Sequence, residues 1–109
     1  MKYHEKFEWD PKKAKVNQEK HDIKFEVAAE VLADEQAEIF HLEVYDDAHS
    51  KAEDRHTTFA SHPMRRTLVL RITWTDRSKG DQRITRIISA KRAKRKERVL
   101  YEKAISKRE

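Results

Sequence analysis

Apolar and polar residues repeat along this chain with two periods, and the points where the period changes mark its elements. In EKFEW, Phe7 and Trp9 stand at the spacing that puts both on one face of a strand, with Trp9 expected to be structural. The dipeptide DP then ends the strand. Asp10 suits an N-cap and Pro11 the first helical position, which predicts a helix over Pro11–Lys20. After a turn at His21–Lys24, Phe25, Ala28, Ala29 and Leu32 fall at i, i+3, i+4 and i+7, the apolar stripe of a second helix. EIFHLEVY and RHTTFAS read as strands, and TLVLRITWT puts Leu68, Leu70, Ile72 and Trp74 on one face. QRITRIISA alternates as far as Ile87 and then meets Ile88. The turn DRSKGD between these two runs carries Gly80, the single glycine, so they read as a hairpin. A helical period returns near the end. The order β-α-α-β-β-β-β-α predicts one α+β domain over residues 1–109, its two N-terminal helices and C-terminal helix packed on an antiparallel sheet.

Composition narrows this picture. With 37% hydrophobic and 41% charged residues, the chain has material for one modest core. No stretch approaches the roughly 18 apolar residues of a membrane span, and MKYHEKFEWD lacks a signal peptide's apolar segment. A cytoplasmic protein without a membrane partner is expected. There is no cysteine, hence no disulfide and no thiolate metal site.

The charge is unevenly placed. Residues 86–109 hold 10 Lys/Arg against 3 Asp/Glu, a net of +7, whereas residues 1–85 carry −2. Six of the eight positions from Lys91 to Arg98 are cationic. Read as one helix from Ala90 onward, Ala90, Ala93, Leu100, Tyr101, Ala104 and Ile105 form a core-facing stripe. Lys91, Arg92, Arg95, Lys96, Arg98 and Lys103 then occupy the other side, a cationic face suited to a polyanion. Glu97 falls within the apolar stripe and needs a partner there; Arg86 is the candidate, in a structural ion pair.

Two further clusters carry chemistry. The first helix has little to bury, yet Lys13, Asn17, Lys20 and His21 gather on one face, where two cations, an amide and an imidazole suit a phosphate and a proton transfer. The segment DDAHSKAEDR offers His49, Glu53 and Arg55, types that move protons and hold charge. Each of these is also what an exposed helix or surface loop looks like. His49, His56 and His62 have no recognised ligand spacing, so neither a metal nor a cofactor is expected.

Taken in order, the motifs F-E-W-D, K-x-x-x-N-x-x-K-H, H-S-x-x-E-x-R, R-I-I-S-A and E-R-x-x-Y resemble the BrnT family of toxins from type II toxin–antitoxin systems, from about Phe7 to Tyr101. The resemblance implies a RelE-like fold and a cytoplasmic RNA endonuclease that inhibits translation. It also implies neutralisation by a BrnA-type ribbon-helix-helix antitoxin, with operator DNA bound only through the complex. The family motifs fall on Lys13, Asn17, Lys20, His21, His49, Ser50, Glu53, Arg55, Arg86, Lys91, Arg92, Glu97, Arg98 and Tyr101. Lys91 stands where many relatives have Arg, Ala60 and Asp22 where Gly is frequent, and Lys24 where Ser or Thr would cap the second helix.

On this footing a metal-independent cleavage is expected, because RNA supplies its own nucleophile, the 2′-hydroxyl. Arg92, Arg86 and Lys91 would stabilise the phosphate, and His21, or failing that His49, would act as base. Tyr101 would serve as acid or as a stacking platform, while Lys13, Lys20, Asn17, Arg55, Arg95 and Arg98 hold RNA and Glu53 plays a structural part. The rival readings are a nucleic-acid-binding protein without catalysis and an inactive antitoxin partner acting as co-repressor.

Overall fold

The structure, a computed structural model, describes residues 5–34, 41–45 and 54–108. Its elements are β1 (Glu5–Glu8), α1 (Pro11–His21), α2 (Phe25–Ala33), β2 (His41–Tyr45), β3 (Arg55–His62), β4 (Arg65–Asp76), β5 (Arg83–Arg92) and α3 (Arg95–Ser106). The predicted order of strands and helices is the observed one, and the class is α+β.

Local chemistry sets the boundaries. Asp10 accepts a hydrogen bond from the Lys12 amide at 2.9 Å, and Pro11 follows it as the first helical residue. Asp22 ends α1 in the left-handed region at φ 57°, where a short polar side chain is better tolerated than most. Lys24 precedes α2 and gives no side-chain cap. Between β4 and β5, Gly80 takes φ 56° and the Ser78 amide bonds to Asp76 Oδ1 at 2.8 Å.

The five strands run in the order β1-β5-β4-β3-β2. β2, β3, β4 and β5 pair antiparallel, but β1 lies parallel to β5, so the sheet is mixed and not wholly antiparallel as expected. The reason is the short link from β1 to α1. Whatever direction β1 takes, α1 continues beyond its end, and the parallel setting lays α1 along the part of β5 that β1 does not reach.

Both sheet faces are covered. On one, Phe25, Ala28 and Val31 of α2 and Ile23 pack on Ala60, Leu70, Ile72, Ile87 and Ala90. Phe7 and Trp9 border this core, and Trp9 meets the Phe25 ring edge-on at 6.0 Å. On the other face, Tyr101 and Ile105 of α3 pack on Val69, with Leu42 and Phe59 beside them.

The C-terminal segment differs from its expected form. Ala90, Lys91 and Arg92 belong to β5, and α3 begins only at Arg95. The single cationic helix face therefore breaks in two, since successive strand residues point to opposite sides of the sheet. Leu100, expected in the core, is 66% exposed. Tyr101 and Ile105 already fill the contact with Val69, leaving Leu100 on the flank.

Candidate functional site

Strand β5 is the axis of the site. Cross-strand partners share a face, so the register places Arg86 with Thr75, Ser89 with Thr73 and Lys91 with Arg71 on the α3 side of the sheet. Arg92 pairs with Leu70 and leaves on the other side. Strict alternation would have separated Arg86 from Lys91, because their numbers differ in parity. A β-bulge resolves this: Trp74 faces Ile87 and Thr73 faces Ser89, so Ile88 is an extra residue and the parity flips. The bulge joins Arg86, Ser89 and Lys91 on one face. The R-I-I-S-A motif contains the residue that does this, and its broken alternation at Ile88 was the visible signal.

Neighbouring strands extend the row. Arg55 pairs with Thr75, so Arg55, Thr75, Arg86 and Glu8 lie in line across four strands. Arg86 donates to Glu8 at 2.9 Å, and both side chains remain about one-third exposed. Thr75 donates its hydroxyl to the Asp54 carbonyl at 2.6 Å.

Arg71 is a member that the sequence reading did not single out, although a cation between Leu70 and Ile72 in an alternating strand must face away from their core. Its Nη1 lies 3.1 Å from Glu97 Oε2, and its guanidinium carbon stands 6.0 Å from the centre of the Phe59 ring. Arg71 Nε is shielded from solvent and has no hydrogen-bond partner among the described residues. The other Glu97 oxygen accepts the Lys94 amide at 2.8 Å, capping α3. Glu97 is thus paired with Arg71, and not with Arg86 as expected.

Along the free edge of β5 lies α1. Strand β1 pairs with residues 83–86 only, and beyond them the edge meets Asn17, which is 6% exposed. Both Asn17 amide hydrogens are donated, to the carbonyls of Ala90 at 2.7 Å and Ile23 at 3.0 Å, and its Oδ1 accepts the Ala90 N–H at 3.1 Å. One carboxamide does for this edge what a strand would do. Its donors are committed to backbone, so the expected RNA contact through this amide has no hydrogen to offer.

With α1 held there, Lys12, Lys13, Lys20 and His21 border a groove of about 340 Å³. Val16 and Ile88 also line it, as does Ser89, the residue that belongs to the cationic face of β5 as well. The expected cluster of Lys13, Lys20 and His21 is therefore brought together and joined to Arg86 and Lys91 through Ser89.

Other expected members lie elsewhere. Tyr101 is 4% exposed and its hydroxyl is 3.4 Å from Ser61 Oγ, so its ring is packed in the α3 core and has no face on which a base could stack. Arg95 and Arg98 are exposed on α3, with Arg98 Nε 3.7 Å from Glu102. His49, Ser50 and Glu53 lie outside the described residues.

The face and groove together offer guanidinium and ammonium groups with an imidazole, an arrangement able to bind phosphate and transfer a proton. A family model described as the ribonuclease toxin BrnT of type II toxin–antitoxin systems matches residues 9–97. No curated protein sequence is a significant match.

Proposed function

Since the chain belongs to the BrnT family of type II toxin–antitoxin ribonuclease toxins, we propose that it cleaves RNA without a metal ion, on the β5 face between α1 and α3. The observation that carries this reading is the bulge at Ile88, which sets Arg86, Ser89 and Lys91 on one face beside Arg71 and Arg55. Arg86 and Lys91, with Arg71 behind them, stabilise negative charge on the scissile phosphate. Arg is suited to this because its charge persists and its planar fork matches phosphate oxygens. Arg92, on the other face, takes no phosphate role in this scheme.

The reaction balances as an internal transfer. A base takes the 2′-hydroxyl proton, the 2′-oxygen attacks phosphorus, and the 5′-oxygen leaves with a proton from an acid. The products are a 2′,3′-cyclic phosphate and a 5′-hydroxyl. His21 is our candidate base, with His49 the alternative. Inhibition of translation in the cytoplasm follows from loss of message. The proposed partner is a BrnA-type ribbon-helix-helix antitoxin, with operator DNA reached only through the complex. A RelE-like fold is part of the same reading.

The test is incubation of the full chain with total RNA in EDTA, with and without antitoxin. Wild type should cut RNA and antitoxin should stop it, while Arg86→Ala should lose about 100-fold in rate, the order expected when one charge-stabilising donor is removed. RNA left intact by wild type would support an inactive co-repressor instead. Cleavage that requires an added divalent ion would remove the metal-free scheme.

A further inference from the structure

The groove between α1 and β5 has a floor that the chemistry above does not use. Val16 is 51% exposed on α1, an unusual place for a β-branched residue among Lys12, Lys13 and Lys20. The extra residue of the bulge, Ile88, lines the same groove. Two aliphatic side chains thus form an apolar floor beneath a rim of ammonium groups. Among the described residues no carboxylate lines the groove, so none of them neutralises the rim cations from within. Polyanion surface alone would call for cations without an apolar floor, and an apolar ligand would gain nothing from the lysines.

We propose that this groove is a nucleotide subsite, holding the RNA residue next to the cleaved phosphate with its base or ribose on Val16 and Ile88 and its phosphate on Lys12, Lys13 and Lys20. Single-stranded nucleic acid is bound in this manner generally, by a cationic track for the backbone and apolar surface for the base. The volume of about 340 Å³ lies at the lower end of small-ligand sites and suits one nucleotide. RNA is favoured over an acidic protein segment because Ser89 lines both the groove and the cationic face. A strand crossing Arg86 and Lys91 continues into the groove by its own covalent connection. The inference rests on the cleavage reading for that continuity.

The experiment uses the full chain and a six-nucleotide RNA made uncleavable by 2′-O-methyl groups. Methyl resonances of Val16 and Ile88 should shift on titration. Val16→Glu places a carboxylate in the rim at an exposed helical position without removing core, and should weaken binding about tenfold through repulsion of phosphate. Met64→Glu, at a turn residue that is 86% exposed, serves as the control for added negative charge and should change affinity far less. Equal weakening by both variants, or unshifted Val16 and Ile88 methyls with RNA bound, would overturn the subsite while leaving cleavage at Arg86 standing. Methyl shifts that appear with antitoxin but not with RNA would assign the groove to the protein partner. Absence of any RNA binding by wild type would bring down both readings.

Discussion

Removing the carboxamide of Asn17 would leave three buried backbone groups, the N–H and C=O of Ala90 and the C=O of Ile23, without their partner. Stranded polar groups at a shielded edge cost about 1–3 kcal/mol each when nothing replaces the bond, and some of that is recovered where water can enter. Asn17→Ala should therefore lower stability by about 3 kcal/mol, seen as a lower urea midpoint. Asn17→Asp should be at least as damaging, because it sets a carboxylate against two carbonyl oxygens. A midpoint unchanged by Asn17→Ala would show that α1 is held by something else. The residue matters beyond its energy: among the described residues Ala14 is the apolar side chain of α1 packed against the core, so the place of Lys13, Lys20 and His21 beside Ser89 leans on the Asn17 side chain. From sequence alone Asn17 looked like one of four polar groups on a helix face, all equally free to meet RNA. What told them apart was a contact 73 residues away, which no local spacing encodes.

Elements divide by how local their causes are. Helix α1 was legible because Asp10, Pro11 and the turn at Asp22 are neighbours in sequence and act within one turn. Strand β4 was legible because Leu70 and Ile72 keep period two up to Trp74. Strand β5 was half legible: the bulge at Ile88 interrupts its period, and Ala90–Arg92 carry the composition of a helix while β4 holds them as strand. Tertiary pairing overrode local preference there, and with it went the continuous cationic helix face. The parallel setting of β1 was invisible for the same reason, since its partner lies at the far end of the chain. The β4–β5 turn supports a prediction about acid. Hydrogen bonds from the Ser78 side chain and amide, then the nearby charges of Arg83 and His56, lower the Asp76 carboxyl below its ordinary range. Folding therefore favours the ionised form. Its contribution is complete above the ordinary carboxylate range and is lost as pH falls through the lowered value in the folded chain. Asp76→Asn should reduce stability near neutral pH and flatten its decline in acid, measured by thermal unfolding across pH 2–6. An acid limb as steep in the variant as in wild type would place that dependence on other carboxylates.

At the scale of the whole molecule, charge and shape divide the work. The net charge of +5 is the sum of a basic C-terminal quarter and a slightly acidic remainder, yet the folded arrangement does not leave the cations in one block. Lys12, Lys13 and Lys20 arrive from the N-terminal helix, Arg86 and Lys91 from β5, and Arg71 from its hairpin partner β4, so two distant segments supply one surface. Glu8 and Glu97 each hold one of these arginines by an ion pair, which fixes the guanidinium and tempers repulsion when no anion is present. The outward cations of α3, Arg95, Lys96, Arg98 and Lys103, are exposed, and on the proposed reading they would attract RNA from a distance and not by direct contact. Salt separates the two groups. Phosphates neutralised by direct contact release counterions, and each contributes about −0.7 to the slope of log affinity against log salt for a single strand. Charges acting beyond the Debye length, about 8 Å at 0.15 M, are screened. If Arg86 and Lys91 share the scissile phosphate and Lys12, Lys13 and Lys20 hold its neighbour, uncleavable RNA should bind with a slope of about −1.4. Replacing Lys13 and Lys20 together by Gln should reduce the magnitude of that slope by about 0.7. Replacing Arg95 and Lys96 by Gln should slow association at low salt and leave the slope near its original value. The reverse result, a slope set by α3 and untouched by α1, would move the RNA track off the β5 face and onto the outer surface of the last helix.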